Sequence, residues 1–376
     1  PTLLVTTTHD FFSIQGARET YAEAKKSYTA LGKPDNLEMT EDLGVHESTK
    51  NNRETVYAFF QKHLNLPGDN NDEEVKPFSV EELFVTSTGQ IGSSLGGVTI
   101  YDLNKKYFPG KKFSGKSLKK TLAETAGIDF NRKLTAAVYT GKLTPEANYE
   151  VEKYFLENDH ADFLLPVYIA KKEQPKPIKK VVIWLHSEGK ETILKQNLLE
   201  ELVNSGFAVI SADLPGTGEL HDPEFSGDGI IKGVPFNYTF GANLVGKSIT
   251  GIKTEAFDLL IQFIKEDQRF SNPDLFALAQ GTTVSEVMHY SILKDPFKKI
   301  IIVDSPATSE EIFNNKHYDP VQAFSKVPGS LLYYDLPDLI SQIPSGKVKT
   351  CINESGNEVI SDTKVTKEIK LFFESN

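Results

Sequence analysis

Gly92-Ser93-Ser94-Leu95-Gly96 spells the serine-nucleophile pattern G-x-S-x-G letter for letter. That pattern does chemistry when a sharp turn between a buried strand and a helix holds the hydroxyl exposed beside backbone N–H groups. The surroundings here are unsuited to it. Thr86-Ser87-Thr88-Gly89-Gln90 is not a buried strand run, and Val98-Thr99-Ile100-Tyr101 is β-prone, with no clear helix start. A flexible glycine-rich connector is the plainer reading of Ser94. A second stretch has the right surroundings and the wrong residue. Leu275 to Leu278 reads as a buried strand, small residues follow, and Val284 to Leu293 reads as a helix. Laid on the same pattern, Ala277 to Gly281 puts Ala279 at the nucleophile, and a methyl group cannot attack a carbonyl. Ser285 lies one turn into the helix and does not replace the missing hydroxyl.

The other candidates are acids and imidazoles. Asp10 lies in His9-Asp10-Phe11-Phe12, after the apolar run Thr2 to Thr7. Alone, it is a turn residue. His46 lies in Gly44-Val45-His46 ahead of a helix, and alone it is a loop residue. His186 reads as a loop or core histidine. No histidines have the H-E-x-x-H metal spacing. Asp213 to Glu219 is glycine-rich but matches no phosphate loop. The single cysteine, Cys351, excludes an internal disulfide and a cysteine-based zinc site. No metal or cofactor is expected.

The elements that must position these residues alternate along the chain. Thr2 to Thr7 is a strand, Gly16 to Ala30 a helix with Gly32 at its C-cap, Asn36 to Thr40 a strand, and Ser48 to Leu64 a helix. Residues 67 to 79 form an acidic linker. Leu83 to Thr86 looks extended, and Ser117 to Thr125 helical. Leu134 to Tyr139, Tyr149 to Leu156 and Phe163 to Ala170 alternate like antiparallel strands. From Val181 the pattern becomes parallel strands and helices. The strands are Val181 to Leu185, Phe207 to Ala212, Leu275 to Leu278, Ile300 to Val303, Ser330 to Tyr334 and Val348 to Ile352. Helices are expected at Ile193 to Val203, Thr254 to Ile264, Val284 to Leu293 and Lys367 to Phe373. The expectation is an α/β fold with a mostly parallel doubly wound sheet and an additional partial α/β unit at the N-terminus. Its divisions are 1–66, a connecting segment 67–132, and 133–376 with an antiparallel region leading in. Net charge is −11, which disfavours nucleic acid and anionic membranes as partners. No apolar run is long enough to span a bilayer. The chain opens on Pro1, directly into a strand, and reads as a processed chain or a piece of something longer.

Two stretches resemble the α/β-hydrolase superfamily, specifically its large acetyl xylan esterase-like and prolyl-oligopeptidase-like members. Leu185-His186-Ser187-Glu188-Gly189 resembles the loop that supplies an oxyanion-hole N–H. Asp213-Leu214-Pro215-Gly216-Thr217-Gly218-Glu219 resembles D-x-R-G-x-G with Pro215 in the Arg place, and Ala277 to Gly281 resembles the nucleophile elbow. In residues 1–66, the Asp10 loop resembles that of the triad acid and the His46 loop that of the triad histidine. The resemblance implies that Asp10 orients His46, that His46 is the general base, and that the serine lies upstream of Pro1. After the last strand of the second unit, Asn353-Glu354-Ser355-Gly356 stands where an Asp is expected, and no histidine follows. The second unit is then a degenerate hydrolase domain after the end of a first module. The resemblance implies a serine-type carbohydrate esterase whose partner is a serine-bearing N-terminal segment or chain. Its substrate would be a plant-type polysaccharide, and its location periplasmic or secreted. A pseudo-hydrolase scaffold or glycan-binding module is the alternative, with Tyr238, Phe240, Tyr333 and Tyr334 as candidate stacking residues. A third expectation docks residues 1–66 on the second unit, close to Ala279.

Overall fold

The computed structural model describes all residues except 146–147, 174–175, 222–229, 232–233, 352–362 and 376. The chain divides into two compact units, Pro1–Thr99 and Ile100–Asn376.

The first unit begins with strand β1 (Thr2–Thr7), helix α1 (Ile14–Ala30), strand β2 (Leu37–Asp42) and helix α2 (Lys50–Leu64). The two strands pair in parallel, with Thr2 opposite Leu37 and Thr7 opposite Asp42. Parallel pairing needs a crossover, and α1 supplies it. Ser13 starts α1 by accepting from the Gly16 N–H, and Thr49 does the same for α2 at Asn52. Asn52 also ties the unit together. Its buried amide donates to Thr6 O of β1 at 2.9 Å and accepts from the Thr40 hydroxyl of β2 at 3.1 Å. A two-stranded sheet is marginal by itself, and Val5 of β1 remains exposed. Farther on, Leu83 to Thr86 is turn rather than extended chain, and a short helix α3 (Ile91–Leu95) follows.

The second unit opens with α4 (Ile100–Tyr107), α5 (Leu118–Ala126), β3 (Leu134–Leu143), β4 (Glu150–Asn158), β5 (Leu165–Lys171) and β6 (Ile178–His186). It continues with α6 (Asn197–Asn204), β7 (Ala208–Ala212), a small ribbon β8 (Ile230–Ile231) and β9 (Val234–Pro235), α7 (Phe236–Leu244) and α8 (Ile249–Glu266). The remainder is β10 (Phe270–Gln280), α9 (Val284–Lys294), β11 (Phe297–Val303), α10 (Ser309–Asn314), α11 (Pro320–Phe324), α12 (Leu336–Ser341), β12 (Val348–Cys351) and α13 (Thr363–Glu374). The eight-stranded sheet has the order β12-β11-β10-β6-β7-β5-β4-β3. Strands β12 to β7 in that order are parallel, and β5, β4 and β3 are antiparallel.

The parallel strands are apolar on both faces because both are covered. Val181, Ile183 and Leu185 of β6 face one core, shared with α5, α8 and α9. Val182 and Trp184 face the other, shared with α6 and α13. Three expected elements differ. Ser330 to Tyr334 is not a strand: Ser330–Leu332 is a 3-10 turn, and Tyr334 is buried under α9 by a bond to His289. The segment from Ile193 splits, with 3-10 turns over Lys190–Lys195 before α6. The β-prone Val98-Thr99-Ile100-Tyr101 leads into α4 instead, where local propensity yields to an amphipathic helical pattern. The stretch Asn353 to Gly356 lies outside the described residues.

Candidate functional site

In the first unit the loops after β1 and β2 leave the same, C-terminal end of adjacent parallel strands. The ladder continues past the strands through Thr8 N–H to Asp42 O and His9 N–H to Gly44 O, at 3.0 and 2.9 Å. Thr7 then binds the two loops by donating to Val45 O at 2.6 Å. This places Asp10 beside His46, with Asp10 Oδ2 at 2.9 Å from His46 Nδ1. Asp10 Oδ1 accepts from the Phe12 N–H at 3.0 Å. That backbone bond, and then the His46 bond, hold the Asp10 carboxyl below the usual carboxylate range, against a small opposing effect of burial. An ionised carboxylate only accepts, so the His46 proton sits on Nδ1 and the Nε2 lone pair faces away from Asp10. Phe11 and Phe12 flank the imidazole, with ring centroids at 4.5 and 6.1 Å. The His46 side chain is 63% exposed, so Nε2 is open to a reacting group. The pair can therefore take up a proton at Nε2 and stabilise the resulting charge.

Ser94 is held in a different arrangement. No strand precedes it, and it lies within α3. Its hydroxyl is engaged inside its own turn, accepting from the Thr88 N–H at 3.1 Å and sharing a 2.6 Å bond with the Thr88 hydroxyl. Gly96, the last residue of the literal pattern, is the left-handed cap of that helix. The motif is a capped surface turn.

In the second unit the expected strand–turn–helix is present, but its turn falls two residues beyond Ala279. Ala279 lies inside the sheet, paired with Leu185 of β6 and Ile302 of β11, and is fully buried. The strand runs on through Gln280. The chain turns at Gly281, whose φ is +66°, into a short 3-10 turn and α9. Thr283 cinches the turn: its hydroxyl accepts from the Gln280 N–H at 3.2 Å and lies 3.1 Å from Leu185 O. The position that projects from the turn is thus a glycine. A Cβ there would lie 2.6 Å from the Ser187 hydroxyl, so Ser187 fills the space of an elbow side chain. Glycine was itself the available signal, since a left-handed turn costs it least.

A cleft of about 380 Å³ lies over this turn. Ser187, Thr217, Lys253, Gly281, Thr282 and Phe324 are among its lining residues. It opens at the C-terminal ends of β6, β7, β10 and β11. There the connections depart to both sides of β6, as expected for a ligand crevice in an open parallel sheet. Beside it, the loop 213–219 is held by a cation that the sequence reading did not identify. Asp213 accepts from Lys190 N–H and Nζ at 2.6 and 2.7 Å and from the Glu219 N–H at 2.9 Å. Burial opposes the Lys190 charge, but its bonds to Asp213 and Glu219 outweigh burial and raise its pKa. Gly189 and Gly218 press on the same carboxylate: a Cβ on Gly218 would meet Asp213 Cγ at 2.2 Å. Of the aromatics considered for stacking, Phe240 and Tyr333 are exposed and Tyr334 is core. Among the described residues no group of His, Cys, Asp or Glu is arranged to hold a metal ion. No helix among them is long and apolar enough to cross a membrane.

No family profile and no curated relative matches the chain by sequence. Solved structures do match by shape. A protein from Bacteroides fragilis NCTC 9343 assigned as an acetyl xylan esterase superposes with a TM-score of 0.52 at 11% identity, over 79% of this chain and 84% of that one. A methylesterase superposes with a TM-score of 0.51 at 12% identity, over 88% of this chain and 70% of that one. The sheet order, the strand–turn–helix at Gly281 and these likenesses agree: the fold is of α/β-hydrolase type, like that of acetyl xylan esterases.

Proposed function

We propose that the chain is the C-terminal portion of a serine-type carboxylic ester hydrolase acting on acylated carbohydrate. Asp10 and His46 are the acid and base of its catalytic site. The observation that carries this reading is the 2.9 Å bond between Asp10 Oδ2 and His46 Nδ1 at the ends of two parallel strands. In this reading His46 Nε2 takes the proton from a serine hydroxyl as that oxygen attacks the ester carbonyl, then gives it to the departing alcohol. Water reverses the sequence and frees the acid. Asp10 holds the imidazole in the tautomer that leaves Nε2 basic. The serine comes from a segment that adds its strands to the free edge of β1, whose only pairing among the described residues is with β2. The acetyl xylan esterase and methylesterase likenesses favour an ester substrate on a plant-type polysaccharide.

The test is reconstitution. The 376-residue chain alone should leave p-nitrophenyl acetate unhydrolysed above buffer. Adding a serine-bearing segment should restore turnover that His46→Ala abolishes. Turnover by the chain alone, removed by Ser94→Ala, would overturn the assignment.

A second reading applies to residues 100–376: a pseudo-hydrolase scaffold or glycan-binding module without catalysis. Glycine at the elbow, with Ser187 filling its space, favours it. Calorimetric titration with neutral xylan oligosaccharides tests the glycan version, which falls if no heat is released.

A further inference from the structure

Beneath the cleft of the second unit lies a group of charges that nothing above uses. Lys253, on the second turn of α8, lines the cleft although its residue is only 3% exposed. Its ammonium lies 5.4 Å from the centre of the Phe324 ring. Among the described residues no carboxylate lies within ion-pair distance of it. Glu286, on the first turn of α9, is 1% exposed, and neither carboxylate oxygen has a hydrogen-bond partner. A buried charge without direct partners is costly, and a perturbed ionisable group that borders a cleft marks a candidate binding site. Burial raises the Glu286 pKa against the attraction of Lys253. Burial also lowers the Lys253 pKa, with the Glu286 charge opposing, so an anionic group entering the cleft would stabilise the charged form of Lys253. Lys326, the next nearby cation, is also mostly buried, and desolvation lowers its pKa despite Asp335, Glu286 and Glu311. Of these groups, Lys253 is the one that borders open space.

We propose that this cleft binds a small hydroxylated carboxylate, its carboxylate group paired with Lys253 and its hydroxyls with the polar rim. The rim suits such a ligand. Ser187, Thr217 and Thr282 bring hydroxyls, and Glu188 and Asp304 also line the cleft. Acidic side chains repel a bare anion but accept from sugar-type hydroxyls, which distinguishes a polyhydroxy acid from phosphate or acetate. Gly281 leaves the floor without a projecting side chain, and Phe324 and Val321 supply apolar wall. The site needs no catalysis and does not depend on the roles of Asp10 and His46. It shares with the second reading above only the bare elbow.

The experiment is isothermal titration calorimetry on the full chain with gluconate, inorganic phosphate and glucose. Gluconate should saturate at one site. Glucose, which lacks the carboxylate, and phosphate, which lacks the carbon-bound hydroxyls, should each bind at least roughly tenfold more weakly. Lys253→Met should weaken gluconate by roughly tenfold or more, and Lys253→Arg by less. Equal binding of gluconate by wild type and Lys253→Met overturns the proposal. So does equal binding of glucose and gluconate, preference for phosphate, or silence with gluconate at tens of millimolar. If Lys253→Met does not fold, reductive methylation of the wild type reads the same contact. Gluconate should protect Lys253 while exposed lysines react, and absence of protection overturns the proposal. Failure of esterase reconstitution, or of neutral glycan binding, leaves this outcome independent.

Discussion

His46 Nδ1 and Asp10 Oδ2 lie 2.9 Å apart although 36 residues separate them in the chain. The separation is bridged by one helix and one strand, because each loop leaves the same end of a parallel pair. The acid stays ionised because the Phe12 N–H and the imidazole both favour its charge. Asp10→Asn should therefore leave the fold intact and lower kcat of the reconstituted esterase by about 10³-fold or more, with KM little changed. Steady-state kinetics on the mixed segments is the measurement. A loss confined to KM would place Asp10 outside the chemistry.

The depressed Asp10 pKa also has a sign in stability. Its contribution is present above the ordinary value of 3.8 and is lost as pH falls through the lower folded value. A stability profile that flattens below pH 4 in the variant Asp10→Asn is the expected result.

Asn52 joins α2 to both strands of the first unit with a buried amide. Asn52→Ala leaves Thr6 O without its donor and a hole beneath the strands. A loss of about 1–3 kcal/mol is expected from denaturant unfolding. Hydrogen exchange should quicken at β1 and β2 and stay unchanged in residues 100–376.

The elbow gives a paired test. Gly281→Ser places a side chain at φ +66° and within 2.6 Å of the Ser187 hydroxyl. Destabilisation of about 1–3 kcal/mol should follow, relieved in part by Ser187→Gly. Ala279→Ser should create no esterase activity, because that position is paired on both sides inside the sheet. Turnover of p-nitrophenyl acetate by Ala279→Ser would mean that the strand ends before residue 279.

Lys190 and Asp213 form a buried pair in which each side chain is 1% exposed. Removing one partner strands the other. Lys190→Met should cost about 3–5 kcal/mol in the unfolding of the second unit. A double change of Lys190→Met with Asp213→Leu should cost less than the sum of the two single changes.

His289 is buried between Ser285 O, which its Nδ1–H meets at 2.6 Å, and the Tyr334 hydroxyl at 3.0 Å from Nε2. Burial first of all pushes its pKa down to about 4, with the Lys326 charge acting the same way and the Ser285 bond opposing. The unfolded chain therefore takes up this proton at higher pH than the folded one. Stability is full above about pH 6.5 and falls as pH drops from there towards 4, by roughly 3 kcal/mol in total. Glu286, whose pKa burial raises, acts in the opposite direction over part of that range. Comparing wild type with His289→Gln isolates the histidine: the variant should lose the decline between pH 6.5 and 4.

Much of the architecture was legible from local pattern. Residues 181–185 and 275–278 are apolar without alternation, which marks strands covered on both faces. The loops of Asp10 and His46 each follow a strand and precede a helix, so both fall at one end of a parallel sheet. Other parts depended on pairing across the chain. Ser330 to Tyr334 has the composition of a strand but finds no neighbour, because Tyr334 is drawn under α9 by His289.

By itself, the sequence determined the order of elements, the faces they bury and the end of each sheet at which side chains could meet. These follow from periodicity and turn residues, which act over a few positions. Tertiary structure alone decided where β10 stops. Its pairing with β6 and β11 carries the strand through Gln280, so the turn falls on Gly281 and Ala279 stays in the core. It also decided that Lys190 is the cation facing Asp213, 23 residues away, and that Lys253 and Glu286, from different helices, come close enough for their charges to interact. Such meetings depend on how the layers stack, and no stretch of neighbouring residues records that.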